Sequence, residues 1–292
     1  MRKIFFFCMT LSLVVHSVGD ATINVLVSTY EGLVIAADSR VTLQEKEKQR
    51  IASDSYQKIF RVGKFVGVAC SGTAFLYDEN GERRNISSIV DAYKIMENIT
   101  DSTSISPRIV AENLSEFVGK IYKTRLINLK ENVLTLLVFG YDERKDRKIF
   151  ELNFPKVEHL GTDSLVVHGI LNDLFESGTP GSVVEGQMDV YYRLIKGHDP
   201  ELLNMSCYEK EKDKIDNLRY DIRYEIMSLQ DAIDFAVFIV RATIEAQRFN
   251  QKAVMGVGGD IDIAIITAEG FKWIQKKKLY GERNATDFQN VK

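Results

Sequence analysis

Four residues of this 292-residue chain have types and spacing that suit covalent chemistry: Thr22, Asp38, Lys58 and Gly72. A threonine becomes a nucleophile when a base takes its hydroxyl proton. A threonine at a chain terminus carries that base itself, because a terminal α-amine has a pKa of about 7.7–8.0 and is partly unprotonated near neutrality. Such a site needs a cation to depress the amine's pKa and steady the alkoxide, and a carboxylate to hold the cation. Lys58 and Asp38 are the candidates, each at the end of a strand-like run. A glycine N–H would hold the tetrahedral oxyanion, and Gly72 follows the apolar run Val66–Cys70. On residue types alone, a solvated Lys–Asp pair is the plainer account.

Thr22 is a terminus only once the first 21 residues are gone. Arg2 and Lys3 are followed by an apolar run, Ile4–Val15, shorter than the roughly 20 residues that cross a bilayer. A basic start, a short apolar segment and then small residues is the pattern of a secretory signal peptide. Gly19 and Ala21 stand at −3 and −1 of a cut before Thr22, and Ser17 and Gly19 would serve a cut before Asp20. The expectation is a leader over 1–21 and an exported, periplasmic or extracellular protein with no stable membrane span afterwards. A propeptide of a cytoplasmic protein is the alternative. A buried first strand is another.

The elements that must position these residues follow from periodicity. Alternation over Thr22–Thr29, a turn at Glu31-Gly32 and the apolar run Leu33–Ala37 predict a strand pair ending at Asp38. Lys58–Val62, Gly63-Lys64 and Phe65–Ser71 repeat the shape. Helices are expected over Ser88–Met96, from Ser106-Pro107 with Ile109, Val110, Leu114, Phe117, Val118 and Ile121 on one face, over Leu165–Leu174, and over Leu229–Phe249. Hairpins are expected at Val133–Asn153 and Asp262–Trp273. The stretch 176–227 is charged (Glu209-Lys210-Glu211-Lys212-Asp213-Lys214) and reads as a surface insertion in one domain, 22–292, rather than as a second domain.

Composition removes other classes. With 38 Lys+Arg against 41 Asp+Glu, the chain lacks the basic footprint of a nucleic-acid binder. Three Cys and four His, with no His-Glu-x-x-His run, give no zinc pattern, and no metal or cofactor is expected. Gly256-Val257-Gly258-Gly259 lacks the Gly-Lys-Ser/Thr ending of a phosphate loop and suits a tight bend better. His159 and His168 read as ordinary polar residues. Cys70 sits in an apolar run, which argues against pairing with Cys207.

The run Gly32-Leu33-Val34-Ile35-Ala36-Ala37-Asp38-Ser39-Arg40-Val41-Thr42 resembles the opening of catalytic β subunits in the 20S proteasome family, of the N-terminal nucleophile hydrolase superfamily. Counting back from Asp38 places Thr22 on the nucleophilic threonine without a gap. Gln57-Lys58-Ile59-Phe60 is similar to the segment of the catalytic lysine, after about four extra residues, and Ser71-Gly72-Thr73 to the oxyanion-hole turn. Gly161-Thr162-Asp163-Ser164 resembles a Gly-Ser-Gly-Ser segment, which puts Thr162 where the family has an auxiliary serine. Gly258-Gly259-Asp260-Ile261-Asp262 resembles a Gly-Gly-x-x-Asp strand start. The resemblance implies an α+β, four-layer αββα sandwich, two antiparallel sheets between helical layers. It also implies catalytic roles for Thr22, Asp38, Lys58, Gly72 and Thr162.

The sequence departs from that family where an aspartate and a serine are usual, at Val254 and Val257, and neither Asn250 nor Gln251 nearby is expected to substitute. Three functions stay open: a threonine-type hydrolase of peptide bonds, an acylase for small amides, and an inactive structural subunit. The expected partner is a peptide or small-amide substrate, with no nucleic acid, and a homo-oligomer is among the assemblies the resemblance allows.

Overall fold

Ten strands build two antiparallel five-stranded sheets. The computed structural model describes residues 22–45, 48–77, 82–121, 123–124, 126–142, 146–158, 165–166, 170–174, 179–205, 208–250 and 255–277. In chain order the sheet strands are β1 (Ile23–Ser28), β2 (Leu33–Ala37), β3 (Ile59–Arg61), β4 (Val66–Gly72), β5 (Leu126–Tyr141), β6 (Arg147–Glu158), β7 (Ile170–Asp173), β8 (Gly181–Gly186), β9 (Asp262–Thr267) and β10 (Gly270–Gln275). The first sheet has the order β8-β1-β2-β9-β10 and the second β7-β6-β5-β4-β3.

Side-chain alternation fixes the layers. Ile23, Val25 and Val27 of β1 point outward and pack with Ala232, Ala236, Ile239 and Val240 of helix α3 (Leu229–Phe249). Leu26 of β1 and Leu33 and Ile35 of β2 point the other way, onto Ala69, Leu137, Phe139 and Ile149 of the second sheet. That sheet's far face, with Val68, Leu136, Val138 and Phe150, is covered by α1 (Ile86–Met96) and α2 (Pro107–Ile121). The order is helix, sheet, sheet, helix, an α+β architecture with antiparallel sheets. Strands buried on both faces carry near-continuous apolar runs, here Leu136-Leu137-Val138-Phe139, rather than clean alternation.

Local chemistry sets the helix starts. Pro107 opens α2, where its missing N–H is no loss. Ser228 caps α3: its Oγ accepts from the Asp231 N–H at 3.2 Å, while Asp231 Oδ2 accepts from the Ser228 N–H at 3.1 Å.

Several expectations change. Leu165–Leu174 is not a helix: Leu165–Val166 and β7 are strands, because β6 offers an open edge and β7 pairs with it antiparallel, Leu171 opposite Leu152. Ile109 faces solvent, and α2 buries Val110, Ala111, Leu114 and Val118 instead. The stretch 176–227 is partly framework, since β8 pairs along the whole of β1, Val25 opposite Val184, and Tyr191 and Ile195 join the core under α3. A hairpin of Val41–Glu45 with Lys48–Ser53 lies between Asp38 and Lys58. The leader, Thr162, His159, His168, Cys207, Gln251 and Val254 lie outside the described residues. Among the described residues no helix is long and apolar enough to cross a membrane.

Candidate active site

Asp38 follows β2 at one end of the first sheet and is fully buried. Its carboxylate accepts four hydrogen bonds. Oδ1 takes the Lys58 ammonium at 2.7 Å and the Ile23 N–H at 3.0 Å. Oδ2 takes the N–H groups of Arg40 at 3.1 Å and Gly258 at 3.0 Å. A carboxylate has about four acceptor positions, and all are filled from four separate chain segments. One of those donors, Ile23, directly follows Thr22.

Lys58 precedes β3 in the second sheet, so its bond to Asp38 crosses between the sheets. A buried ammonium without a partner would be expensive, and the short charge-assisted contact offsets much of that cost. The surface pair that residue types alone allowed is therefore excluded: the two side chains are 3% and 0% exposed.

Thr22 is also buried and is held from the other side. Its carbonyl accepts the Gln187 N–H at 2.7 Å. Gly186 ends β8 at φ +88°, and a β-carbon there would lie 1.9 Å from the Thr22 oxygen. The nominal insertion thus presses on the candidate nucleophile.

Gly72 ends β4 with φ +84°, a conformation that side chains rarely adopt. A β-carbon at this position would meet the Val133 carbonyl at 2.4 Å. Thr22, Lys58 and Gly72 line one small cleft, together with Arg40, Tyr56 and Cys70. Asp38 lies behind Lys58.

Four further residues shape the cleft. Arg40 grips Asp54 with two bonds, 2.6 and 3.1 Å, and donates to the Met255 carbonyl at 3.2 Å. A side chain at Gly258 would collide with that guanidinium. Tyr56 donates its phenol to the Ala74 carbonyl at 2.5 Å, and burial raises its pKa well above the ordinary range. Burial likewise pushes the Cys70 thiol up to about 12, which keeps it protonated. Asn24 donates to the Cys70 carbonyl at 2.9 Å. That bond ties the residue two past Thr22 to the residue two before Gly72, across the sheets.

Near the double glycine, Val257 is buried and its N–H donates to Gln247 Oε1 at 2.9 Å. This amide comes from within α3. Arg40 stands in the Asp38-Ser39-Arg40 run, but its residue type alone assigned it no role. Asn24 and Gln247 carried no sequence signal, because polar residues on an otherwise apolar face gain meaning only from what they touch. Among the described residues no cluster of His, Cys, Asp and Glu suits a metal ion.

The sequence model of the Proteasome subunit family matches residues 21–155. That stretch belongs to the proteasome subunit family. The proteasome-subunit stretch contains Thr22, Asp38, Lys58 and Gly72. Among solved structures, "Anbu (ancestral beta-subunit) from Yersinia bercovieri" is similar at 15% identity, over 92% of this chain and 97% of that one, with a TM-score of 0.47. No curated protein matches.

Proposed function

We propose that the protein is an exported amide hydrolase that uses Thr22 as an N-terminal nucleophile, acting on peptide bonds. The observation that carries this reading is the buried Lys58–Asp38 pair beside Thr22 in a cleft bordered by Gly72. Removal of the leader after Ala21 frees the Thr22 amine. The amine takes the proton of Thr22 Oγ as that oxygen adds to the substrate carbonyl carbon. The carbonyl oxygen becomes an oxyanion, held by the Gly72 N–H. As the C–N bond breaks, the protonated amine gives its proton to the leaving nitrogen. Water, deprotonated by the same amine, then releases the acid and restores Thr22. Lys58, fixed by Asp38, supplies the positive charge beside the alkoxide.

Membership of the 21–155 stretch in the proteasome subunit family supports the reading. An exported protein would meet unfolded or small substrates, and an assembly of several copies is its expected state. A second reading, a structural subunit without activity, is favoured by buried, apolar Val257 at a position where the resemblance calls for a serine.

Intact mass of the secreted protein, followed by labelling with a peptide epoxyketone, separates the two. The hydrolase reading expects a chain that starts at Thr22 and gains one adduct, lost in Thr22→Ala and retained in Thr29→Ala. A mature start at Asp20 or Ala21 locks the amine into a peptide bond and leaves the structural reading.

A further inference from the structure

A second buried Lys–Asp pair lies at the same end of the sandwich, and neither partner has a role in the chemistry above. Asp262 opens β9 directly opposite Ala37, the residue before Asp38. Lys277 lies two residues past β10. Its ammonium is 3.1 Å from Asp262 Oδ2, and its N–H donates to Asp262 Oδ1 at 2.9 Å. The side chains are 3% and 1% exposed. Burial lowers the pKa of Lys277, Asp262 draws it back up, and Lys58 and Asp38 act on it with opposite signs. Two ammonium and two carboxylate groups therefore share one low-dielectric region, and Lys58, Asp38 and Lys277 all act on the Cys70 thiol.

Stapling β10 to β9 needs only the bonds to Asp262. Lys277 makes one more: its ammonium donates to the carbonyl of Tyr56. Tyr56 does not belong to the first sheet. It stands two residues before Lys58, on the segment that feeds β3 of the second sheet. The same residue donates its N–H to the Ser39 carbonyl at 2.9 Å, and its phenol accepts the Ile86 N–H at 3.1 Å. Tyr56 is thus anchored beside Asp38 through Ser39 and across the cleft through Ala74, and it is held from the first sheet by Lys277. A lysine reaches its partner through four flexible methylenes, so the position of the Lys58 ammonium depends on where its backbone is held.

We propose that Lys277, charged and oriented by Asp262, is a positioning residue for the candidate site: its bond to the Tyr56 carbonyl holds the 56–58 segment so that Lys58 meets Asp38 beside Thr22. The proposal rests on the Thr22 reading. Removing Lys277 alone would leave Asp262 as an unpaired buried charge. The decisive variant is therefore the double replacement Asp262→Asn with Lys277→Met, which removes both charges and the bond to Tyr56 together.

The experiment uses the mature full chain starting at Thr22. Labelling by a peptide epoxyketone is followed by intact mass, with the maximal rate separated from the half-saturating concentration. The double variant is expected to keep its cooperative melt and its half-saturating concentration within two-fold, while its maximal rate falls at least ten-fold. If that variant does not fold, Lys277→Arg takes its place. It keeps a charge on Asp262 but presents a planar fork to a carbonyl now met by a compact ammonium, and a three-fold or greater slowing at unchanged half-saturation is expected. A folded variant with the wild-type maximal rate overturns the positioning role and leaves the Thr22 reading intact. Wild-type protein that takes no label, like Thr22→Ala, overturns both.

Discussion

Lys58 Nζ lies 2.7 Å from Asp38 Oδ1, and this contact joins the two sheets at the end where Thr22 enters β1. Asp38 is also bonded by the backbone on either side of it, at Ile23 and Arg40, and by the Gly258 turn. One carboxylate therefore holds the candidate nucleophile's strand, the candidate cation and the double-glycine loop in a common frame. A change at Asp38 disturbs all three.

Replacing Asp38 by Ala removes the acceptor that the buried Lys58 ammonium and three backbone donors share. The expected loss is about 3–5 kcal/mol of unfolding free energy, the range for breaking a buried pair from one side. Urea denaturation measures it. A loss under about 1 kcal/mol would show that the pair is far more hydrated than the structure has it.

Gly186→Ala tests whether β8 positions Thr22. The new methyl group meets the Thr22 carbonyl oxygen in a backbone conformation that disfavours side chains. A destabilisation of at least about 2 kcal/mol is expected, together with slower epoxyketone labelling. Thermal melts and labelling rates that both match wild type would mean that Thr22 is placed without this contact.

Gln247→Leu removes the acceptor of the buried Val257 N–H while keeping the volume close. An unsatisfied buried donor costs about 1–3 kcal/mol. Hydrogen exchange at Val257 and Gly258 should accelerate with it, because Gly258 carries the bond to Asp38. Unchanged exchange would place the loop's restraint elsewhere.

Cys70 gives a pH signature. In the unfolded chain its thiol ionises near 9, whereas the native thiol holds its proton to about 12. Between those values the unfolded state binds fewer protons, so unfolding free energy falls as pH rises. The contribution of the neutral thiol is fully present below pH 9. Cys70→Ala should make the stability curve shallower between pH 9 and 11. Native Cys70 should also resist iodoacetamide at pH 8 and react once urea unfolds the chain. Rapid alkylation of the native protein would contradict the burial that raises this pKa.

The hairpin β1–β2, the repeat of that shape at β3–β4 and the span of α3 were legible because their information is local. Alternation, Gly turns and an apolar stripe at helical spacing act over a few residues. The family resemblance of the runs around Asp38, Lys58 and Gly72 also pointed to a nucleophile, a carboxylate, a cation and an oxyanion donor, whereas residue types alone left a solvated Lys–Asp pair as the plainer account. Leu165–Leu174 was misread because a short apolar run suits a helix face or a strand edge equally, and only the open side of β6 decides between them. The 176–227 stretch was misread because its charge hides Gly181–Gly186, whose partner β1 lies over 150 residues earlier.

Residue types and local patterning named the candidates for chemistry and most of the short elements that carry them. Strand pairing and the packing of one sheet on the other are what make Lys58 and Asp38 a buried pair, bring β8 onto Thr22, and add Asp262 and Lys277 to the same region. The reason is physical. Periodicity reports the direction a side chain takes from its own strand, whereas burial, pairing and charge compensation depend on what the second sheet places opposite it.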